Sequence, residues 1–309
     1  MSSNVSNTST VELYGPVIAV GVFAVVKLAL NGCLLFFFLK SRSLRTPFTV
    51  YLINLLLSNI LVTLADPFFM MESWQVRWFF TSILFNMKIY FDHVGSALDL
   101  HAHLLITLNR MWALTFPLNY RNYHSTQIAV VICLTMGTYC HVLLSPLLLQ
   151  DLLYYRPNMQ TATECEVVSS AQPVLRRFLK IWINNVPVLI ILAAYPYLLC
   201  RTMDVGKTFH CQAAIIGKSS LQRPAKENRH AFLILTATTF ITLICWTPTK
   251  IIGILKVFGD TAIPDVLQIV FGDVIYSLQQ VLDPILLTLS FKSLRKAFKS
   301  KVGLICRRG

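Results

Sequence analysis

Apolar residues form seven long runs in this chain, and short polar segments separate them. The runs, numbered span 1 to span 7, cover residues 13–39, 47–71, 84–115, 125–149, 174–202, 229–257 and 264–290. Each is long enough to cross a hydrocarbon core of about 30 Å as a helix. The period-2 alternation of a membrane barrel is missing, and a bilayer offers no water to unpaired backbone groups. The pattern therefore predicts an all-α membrane protein, a bundle of seven transmembrane helices.

Composition supports this prediction and removes other classes of protein. Of the 309 residues, 55% are hydrophobic and only 13% are charged. The net charge of +13 comes from basic residues that collect in the short polar segments. Membrane lipids are therefore the expected partner of these residues, and nucleic acid is not. No nucleophile–base constellation or phosphate-binding glycine loop lies on a water-exposed segment, so we do not expect an enzyme.

The basic residues also predict the orientation of the chain. Most of the 27 Lys and Arg residues lie in four of the polar segments, namely 40–46, 110–124, 201–229 and 292–309. The positive-inside rule places these segments in the cytoplasm. The membrane itself is expected to be the plasma membrane. Residues 1–12 are then an extracellular tail, 13–290 the transmembrane domain, and 291–309 a cytoplasmic segment. The tail carries acceptor sequences for N-glycosylation at Asn4 and Asn7.

A short amphipathic helix is predicted after span 7. Phe291, Leu294, Phe298 and Val302 recur at helical spacing, and lysines occupy the opposite face. Such a helix lies along the inner leaflet of a membrane. Cys306 would end it at the membrane surface and is a candidate for palmitoylation, with an unmodified thiol as the alternative.

Span 3 carries a polar face. The residues that share it at helical spacing are Asp92, Ser96, Asp99, His103, Ile106 and Arg110. A carboxylate at bilayer depth costs about 2.5–3.5 kcal/mol on insertion scales, so this face must point into the bundle. Ionisable residues inside a membrane usually serve a function, and a purely structural polar seam is the alternative.

Short motifs also recur along the spans in a fixed order. The main ones are Asn31, Leu55 to Asn59, Asn109-Arg110-Met111, Cys245-Trp246-Thr247-Pro248 and Asp283-Pro284, with Pro117 after span 3 and Pro187 with Tyr195 in span 5. In this order they resemble the rhodopsin-like (class A) G-protein-coupled receptors. The chain is identified as a divergent member of that family, and the resemblance covers nearly its whole length.

The resemblance implies a receptor that passes an extracellular chemical signal to heterotrimeric G proteins by outward movement of span 6, with Trp246 as the pivot. The implied ligand-binding residues are Asp92, Ser96, Trp246, Lys250, Asp273 and Ser277. The implied ion and activation network consists of Asn31, Asn59, Asp99, Asp283 and Pro284. The residues implied to contact the G protein are Arg110, Pro117 and Tyr195.

The class of ligand stays open. Asp92 stands where amine receptors of this family hold a cationic ligand, and a carboxylate suits an ammonium. However, Thr249 and Lys250 stand where those receptors have aromatic residues. Lys250 either neutralises Asp92 or Asp273, or receives an acidic group from a ligand. An amine, a peptide and a lipid acid therefore all remain candidates.

No cofactor is expected, and sodium is the one candidate ion. The family places a sodium ion at the positions that read Asn59, Asp99 and Asp283 here. Two close carboxylates need a cation, a shared proton or a nearby base, and Lys27 is one candidate for the positive charge. His103 is expected to be a hydrogen-bond partner of Asp99 and not a metal ligand. Its neighbour His101 points elsewhere, so no zinc site is expected.

Two departures from the family bear on structure and signalling. Phe85 replaces the cysteine that usually joins the top of the third helix to an outer loop, so that disulfide cannot form. Cys165 is then unpaired or pairs with another chain. Asn109 replaces the acid that restrains Arg110 in the resting state, and Glu227 at the start of span 6 is the candidate substitute.

The same residues also bear on functions other than that of a signalling receptor. A transporter or channel would use the intramembrane acids and histidines, but the inverted repeats common in transporters are missing. A receptor-like protein that binds without signalling is favoured by Asn59, Asn109 and Leu287. A light sensor is excluded because residues 263–291 contain no lysine for a Schiff base.

Overall fold

The computed structural model describes residues 5–41, 44–73, 82–155, 167, 172–216, 238, 240–252, 254–255, 267, 269–290 and 295. Every regular element within these ranges is a helix, which confirms the all-α prediction. Asn4, Cys165, Glu227, Cys306 and most of the predicted C-terminal helix lie outside the described residues, and so do the side chains of residues 5–14 and 202–216.

The predicted spans coincide with helices wherever the structure describes them. Their bounds are Val5–Lys40 for span 1; Pro47–Thr63 and Asp66–Ser73 for span 2; Ser82–Tyr90, Phe91–Gly95 and Ser96–Thr115 for span 3; Thr126–Gln150 and Asp151–Tyr155 for span 4; Pro173–Leu179, Lys180–Asn185 and Val186–Ile216 for span 5; and Ile269–Val274 and Ile275–Ser290 for span 7. Span 6 is described chiefly over Phe240–Ile252. A short helix, Pro117–Tyr123, joins spans 3 and 4.

By length and composition, spans 1, 2, 4, 5 and 7 are long and apolar enough to cross a membrane, and Phe240–Ile252 is a shorter apolar helix. Span 2 contacts spans 1, 3 and 4, span 1 contacts span 7, and span 3 contacts span 5. This arrangement brings spans 1, 2, 3 and 7 around one interior.

The ends of the helices differ from the hydrophobic runs for local reasons. Span 1 begins at Val5, eight residues before the apolar run, because polar residues continue the helix beyond the part that hydropathy marks. Span 2 begins at Pro47 after Thr46, whose hydroxyl accepts from the N–H of Thr49 in a capping box. A turn at residues 64–65 interrupts span 2 before Pro67, which has no N–H to donate.

Four spans contain a π-helical turn, over Phe91–Gly95, Asp151–Tyr155, Lys180–Asn185 and Ile269–Val274. They lie at the start of spans 3, 5 and 7 and at the end of span 4, hence at one end of the bundle. We call this the Asp92 end and the opposite one the Arg110 end. Gly95 permits a close approach there, because a Cβ would lie 3.2 Å from the backbone of Val62. Such turns are frequent at functional sites.

Candidate functional site

A buried polar network, which we call the polar core, lies between spans 1, 2, 3 and 7. Its members are Lys27, Asn31, Asn59, Asp66, Asp99, His103, Ser277, Gln279, Gln280 and Asp283. The polar face predicted for span 3 supplies Asp99 and His103. Asp99, His103, Ile106 and Arg110 are all buried, as that prediction requires.

Lys27 forms the ion pair of this network with an acid that the sequence did not single out. Its Nζ lies 2.5 Å from Oδ2 of Asp66, and it also donates to Ser277 Oγ at 3.3 Å and to Gln280 Oε1 at 3.1 Å. Lys27, which was one candidate counter-charge for the two carboxylates of spans 3 and 7, therefore pairs with Asp66 instead. Asp66 follows Asn59 by seven residues, which in a helix places both side chains on one face. This spacing could have indicated from the sequence that Asp66 points into the bundle.

Two asparagines connect span 1 to the middle of span 7. Asn31 donates to the carbonyl oxygens of Lys27 at 2.9 Å and of Gln280 at 3.3 Å. Asn59 donates to Asn31 Oδ1 at 3.1 Å and to Asp283 Oδ2 at 3.3 Å. The structure thus brings together three residues of the activation network implied by the sequence.

His103 lies between the carboxylates of Asp99 and Asp283. Its Nε2 atom is 3.2 Å from Asp283 Oδ2 and 3.7 Å from Asp99 Oδ1. The other oxygen of Asp99 accepts from Tyr276 at 3.0 Å and, more weakly, from Gln280 at 3.5 Å. Asp99 is fully buried, and its Oδ1 accepts no hydrogen bond from the part of the chain that the structure describes.

Gln279 connects this group to span 6. The indole N–H of Trp246 donates to Gln279 Oε1 at 3.2 Å, and the indole ring meets His103 edge-to-face at 5.3 Å. Because an indole N–H can only donate, the amide oxygen must face Trp246 and the NH₂ group must face the other way. That NH₂ group lies 2.5 Å from Asp283 Oδ2 and 2.9 Å from His103 Nε2.

Two arrangements of hydrogens are open to His103. Two nitrogens 2.9 Å apart form a hydrogen bond only when one of them accepts, and an amide NH₂ group is a donor only. With the hydrogen of a neutral ring on Nδ1, His103 Nε2 accepts from Gln279. With a hydrogen on Nε2, it donates instead to Asp283 Oδ2 at 3.2 Å.

At the Asp92 end, the charged residues are not paired as one alternative proposed. Lys88 Nζ lies 3.0 Å from Asp92 Oδ2, and 38% of the Asp92 side chain is exposed. Lys250 donates instead to the neutral Asn184 Oδ1 at 3.1 Å and lies 5.7 Å from the ring centre of Trp246. The prediction that Lys250 neutralises Asp92 is therefore wrong.

The remaining residues implied in ligand binding occupy different places. Ser96 and Asp273 are half-buried at the Asp92 end, Ser96 just after one π-helical turn and Asp273 within another. Ser277 is buried against Lys27 in the polar core. A π-helical turn holds an extra residue, so it rotates Asp92 relative to Asp99 compared with an unbroken α-helix.

At the Arg110 end, Asn109 contacts the loop between spans 3 and 4. It accepts from Tyr120 OH at 3.1 Å and donates to His124 Nε2 at 3.1 Å. Burial lowers the pKa of His124 and raises that of Tyr120, so both side chains are neutral near pH 7. Arg110 is buried with its guanidinium 5.3 Å from the ring centre of Phe48.

Pro117 and Tyr195, the other residues implied in G-protein contact, lie apart from each other in the chain. Pro117 is exposed at the first position of the short helix Pro117–Tyr123. Tyr195 stacks on Phe240 of span 6 with ring centres 5.2 Å apart. Tyr195 thus links span 5 to span 6, the helix implied to move.

Apolar packing occupies the position of the missing disulfide. Phe85 is buried in a group that we call the apolar cluster, formed by Phe85, Ile89, Val94, Ala97, Cys140, Leu144, Leu147, Val167, Leu179 and Ile183. Val167 stands two residues after Cys165 in the chain. The cysteines whose side chains the structure describes, Cys33, Cys133, Cys140, Cys200 and Cys245, are free.

Comparison with known proteins identifies the family. The model of the 7 transmembrane receptor (rhodopsin family) matches residues 30–287. Somatostatin receptor type 1 of Rattus norvegicus is 20% identical over 81% of this chain and 63% of its own length. The blue-sensitive opsin of Apis mellifera is 22% identical over 80% of this chain and 67% of its own. Trace amine-associated receptor 5 of Homo sapiens is 25% identical over 84% and 76%.

These similarities span most of the transmembrane domain, and the chain covers less than two thirds of the length of the somatostatin receptor. The family model includes spans 2 to 6 in full, the last part of span 1 and most of span 7. The chain is thus a multi-pass membrane protein that belongs to the rhodopsin family of seven-transmembrane receptors.

Proposed function

We propose that this protein is a ligand-activated G-protein-coupled receptor in which a ligand at the Asp92 end changes the position of span 6. The observation that carries the proposal is the contact of Trp246 with Gln279 and His103. Through these two residues, one span 6 side chain is linked to the carboxylates of Asp99 and Asp283. A ligand that displaces Trp246 must therefore also change the surroundings of Asp99 and Asp283.

Such an arrangement suits a two-state element. The indole hydrogen bond to Gln279 exists in the arrangement described here, and outward movement of span 6 would break it. A ligand shifts the balance between two arrangements only by binding one of them better. We propose that the released Gln279 amide and the repositioned Trp246 accompany the active arrangement, and that Arg110, Pro117 and Tyr195 then contact the G protein.

We further propose that the ligand carries an acidic group. An ammonium ligand would have to compete with Lys88 for Asp92, at a separation of 3.0 Å. Lys250, by contrast, is half-buried, and within the described ranges its hydrogen-bond partner is the neutral Asn184. Exchanging an amide for a carboxylate gives Lys250 a charge-assisted hydrogen bond, which is roughly twice as strong as a neutral one.

The test of the ligand class compares two substitutions. Cells expressing the receptor are screened with a panel of carboxylic acids and a matched panel of amines, and G-protein dissociation is recorded. We expect responses to acids that Lys250→Met abolishes and Asp92→Asn preserves. Amine responses that Asp92→Asn abolishes would contradict the acidic ligand and would support the amine alternative.

The test of the span 6 contact needs no ligand. Trp246→Phe keeps a ring beside His103 but removes the N–H that Gln279 accepts, so basal G-protein output should rise. Ile244→Val, an exposed change on the same helix, is the control for surface expression. If wild type and Trp246→Phe show no coupling to any G protein, with or without ligands, the receptor-like protein that binds without signalling becomes the better function.

A further inference from the structure

The polar core places two carboxylate oxygens and one imidazole nitrogen, all possible metal ligands, in one small space. Asp99, His103 and Asp283 each offer one such atom, and the three lie within 4.8 Å of one another, all buried. Two come from span 3 and one from span 7. Carboxylate oxygen with imidazole nitrogen is a common donor set for zinc and other divalent transition metals.

We propose that Asp99, His103 and Asp283 bind a divalent transition-metal ion of the zinc type. Ligand atoms about 2.0–2.2 Å from zinc at tetrahedral angles lie about 3.3–3.6 Å apart. Nε2 of His103 lies 3.2 Å from Asp283 Oδ2 and 3.7 Å from Asp99 Oδ1, close to that spacing. Small adjustments therefore complete three protein ligands, with a water molecule or a ligand atom as the fourth.

The hydrogen bonds around the three residues also suit a metal. His103 Nε2 and Asp283 Oδ2 lie 3.2 Å apart, so a cation between them can accept a lone pair from each. One oxygen of Asp99 is held by Tyr276 and Gln280, and its buried Oδ1 is left facing His103. Metal-binding carboxylates are typically anchored in this way by outer hydrogen bonds.

The charge of the site favours a divalent ion. The two carboxylates of the site carry two negative charges in the middle of the bundle, and Lys27 is engaged by Asp66. A divalent cation makes the group neutral, which a monovalent ion does not. Binding would exchange the Gln279 hydrogen bond on His103 Nε2 for the metal, while Gln279 keeps its contact with Asp283.

Sodium, the ion that the family resemblance implies here, fits this donor set less well. Hard cations prefer carboxylate, carbonyl and water oxygens, whereas imidazole nitrogen favours zinc, copper, iron and nickel. The family's second-helix acid is Asn59 in this chain, and its NH₂ group, not its oxygen, faces Asp283 at 3.3 Å. The NH₂ group of Asn59 repels a cation in that place. Coordination by His103 Nε2 compensates for this repulsion when the cation is a transition metal, but not when it is sodium.

The experiment measures metal binding by the full-length receptor purified in detergent micelles, without ligand or G protein. ZnCl₂ is titrated while the thermal unfolding midpoint and bound zinc per chain are recorded, with NaCl and MgCl₂ in parallel. We expect one zinc per chain and a higher midpoint, because an ion that binds only the folded state stabilises it. X-ray absorption should report one imidazole nitrogen with oxygen ligands at the zinc.

Variants locate the site. His103→Gln and Asp99→Asn should each weaken zinc binding by about 100-fold or more, and Tyr276→Phe, which removes only an outer hydrogen bond, by about 10-fold. His101→Gln is the matched control, since His101 is also buried on span 3 but bonds to Ala97 O. If His103→Gln does not fold, zinc binding by Tyr276→Phe and the X-ray absorption spectrum of the wild type still show whether zinc binds at this site.

Three results would overturn the proposal. These are a wild type that binds no zinc, zinc binding that His103→Gln leaves unchanged, and stabilisation by sodium but not zinc that Asp99→Asn removes. Because the assay needs neither ligand nor signalling, its failure leaves the receptor proposal untouched. Failure of G-protein coupling in the same way leaves the metal proposal untouched.

Discussion

The polar core and the apolar cluster meet at span 3, yet they are held together by opposite means. In the polar core, buried charges face one another across spans 1, 2, 3 and 7, and Lys27 pairs with Asp66 at 2.5 Å. In the apolar cluster, between spans 3, 4 and 5, Phe85 occupies the position of a cysteine in the family and apolar side chains surround it. The first region depends on matched charges, the second on filled volume.

The two regions accommodate residues that differ from those typical of the family in two different ways. A buried charge without its partner costs free energy. Asn59 lacks the acidic charge of the family at this position, and Asp66, Asp99 and Lys27 supply other charges in the polar core. A missing disulfide leaves no unsatisfied group, so close packing around Phe85 suffices. Substitutions should therefore behave differently in the two regions.

The largest effect is expected from breaking the ion pair of the polar core. Lys27→Met leaves the Asp66 carboxylate without its partner and should lower the apparent free energy of unfolding by about 3–5 kcal/mol. Removing both charges, in Lys27→Met with Asp66→Leu, should recover most of this loss. Unfolding in detergent micelles measures both. A double variant as unstable as the single one would show that the charges do not act as a pair.

A somewhat smaller loss is expected in the apolar cluster. Phe85→Ala leaves a cavity in a packed region and should cost about 3 kcal/mol of apparent unfolding free energy. Phe178→Ala is the matched control, because the Phe178 side chain is 52% exposed, and its cost should stay within about 0.5 kcal/mol. Equal losses for both variants would mean that packing in the apolar cluster does not replace the missing disulfide.

A third test concerns the Arg110 end. Asn109→Asp should place a carboxylate near Arg110, favour the resting arrangement and lower basal G-protein output. A shift of about 1.4 kcal/mol would change the ratio of resting to active receptor about tenfold. Asn119→Asp, on the exposed helix Pro117–Tyr123, makes the same charge change and should leave output unchanged.

The pH dependence of that variant sharpens the test. Burial lowers the pKa of His124, which faces Asn109, so its cation is disfavoured in the wild type. A carboxylate at position 109 favours that cation, hence raises the pKa of His124 and competes with Arg110 for the new charge. The drop in output should be larger at about pH 8, where His124 is neutral, than at about pH 6. The reverse order would show that the carboxylate does not act through Arg110.

The smallest effect is expected from reduction. Because Phe85 stands at the cysteine position, mild reductant should leave the unfolding midpoint and the surface expression of the monomer unchanged. Expression in cells with and without membrane-permeable reductant, followed by surface labelling, provides the measurement. A large loss would show that Cys165 forms a disulfide, within the chain or with another one.

Sequence patterns alone found much of the fold and part of the candidate site. Hydropathy located the spans because a membrane helix must be apolar over a fixed length, whatever it contacts. Helical spacing placed Asp99 and His103 on one inward face, and the order of motifs identified the family. The partner of Lys27 was not predicted because it lies on another helix, and spacing within one helix carries no information about the distance between two.

The sequence by itself determined which side chains had to avoid lipid, since the cost of exposing a charge to hydrocarbon depends on the residue and its depth. Only the tertiary structure decided which of them meet. Gln279 was not singled out, yet its position between Trp246, His103 and Asp283 orients all three, because hydrogen bonds depend on distances of tenths of an ångström. Those distances follow from how spans 3, 6 and 7 pack, and no pattern along one chain records that.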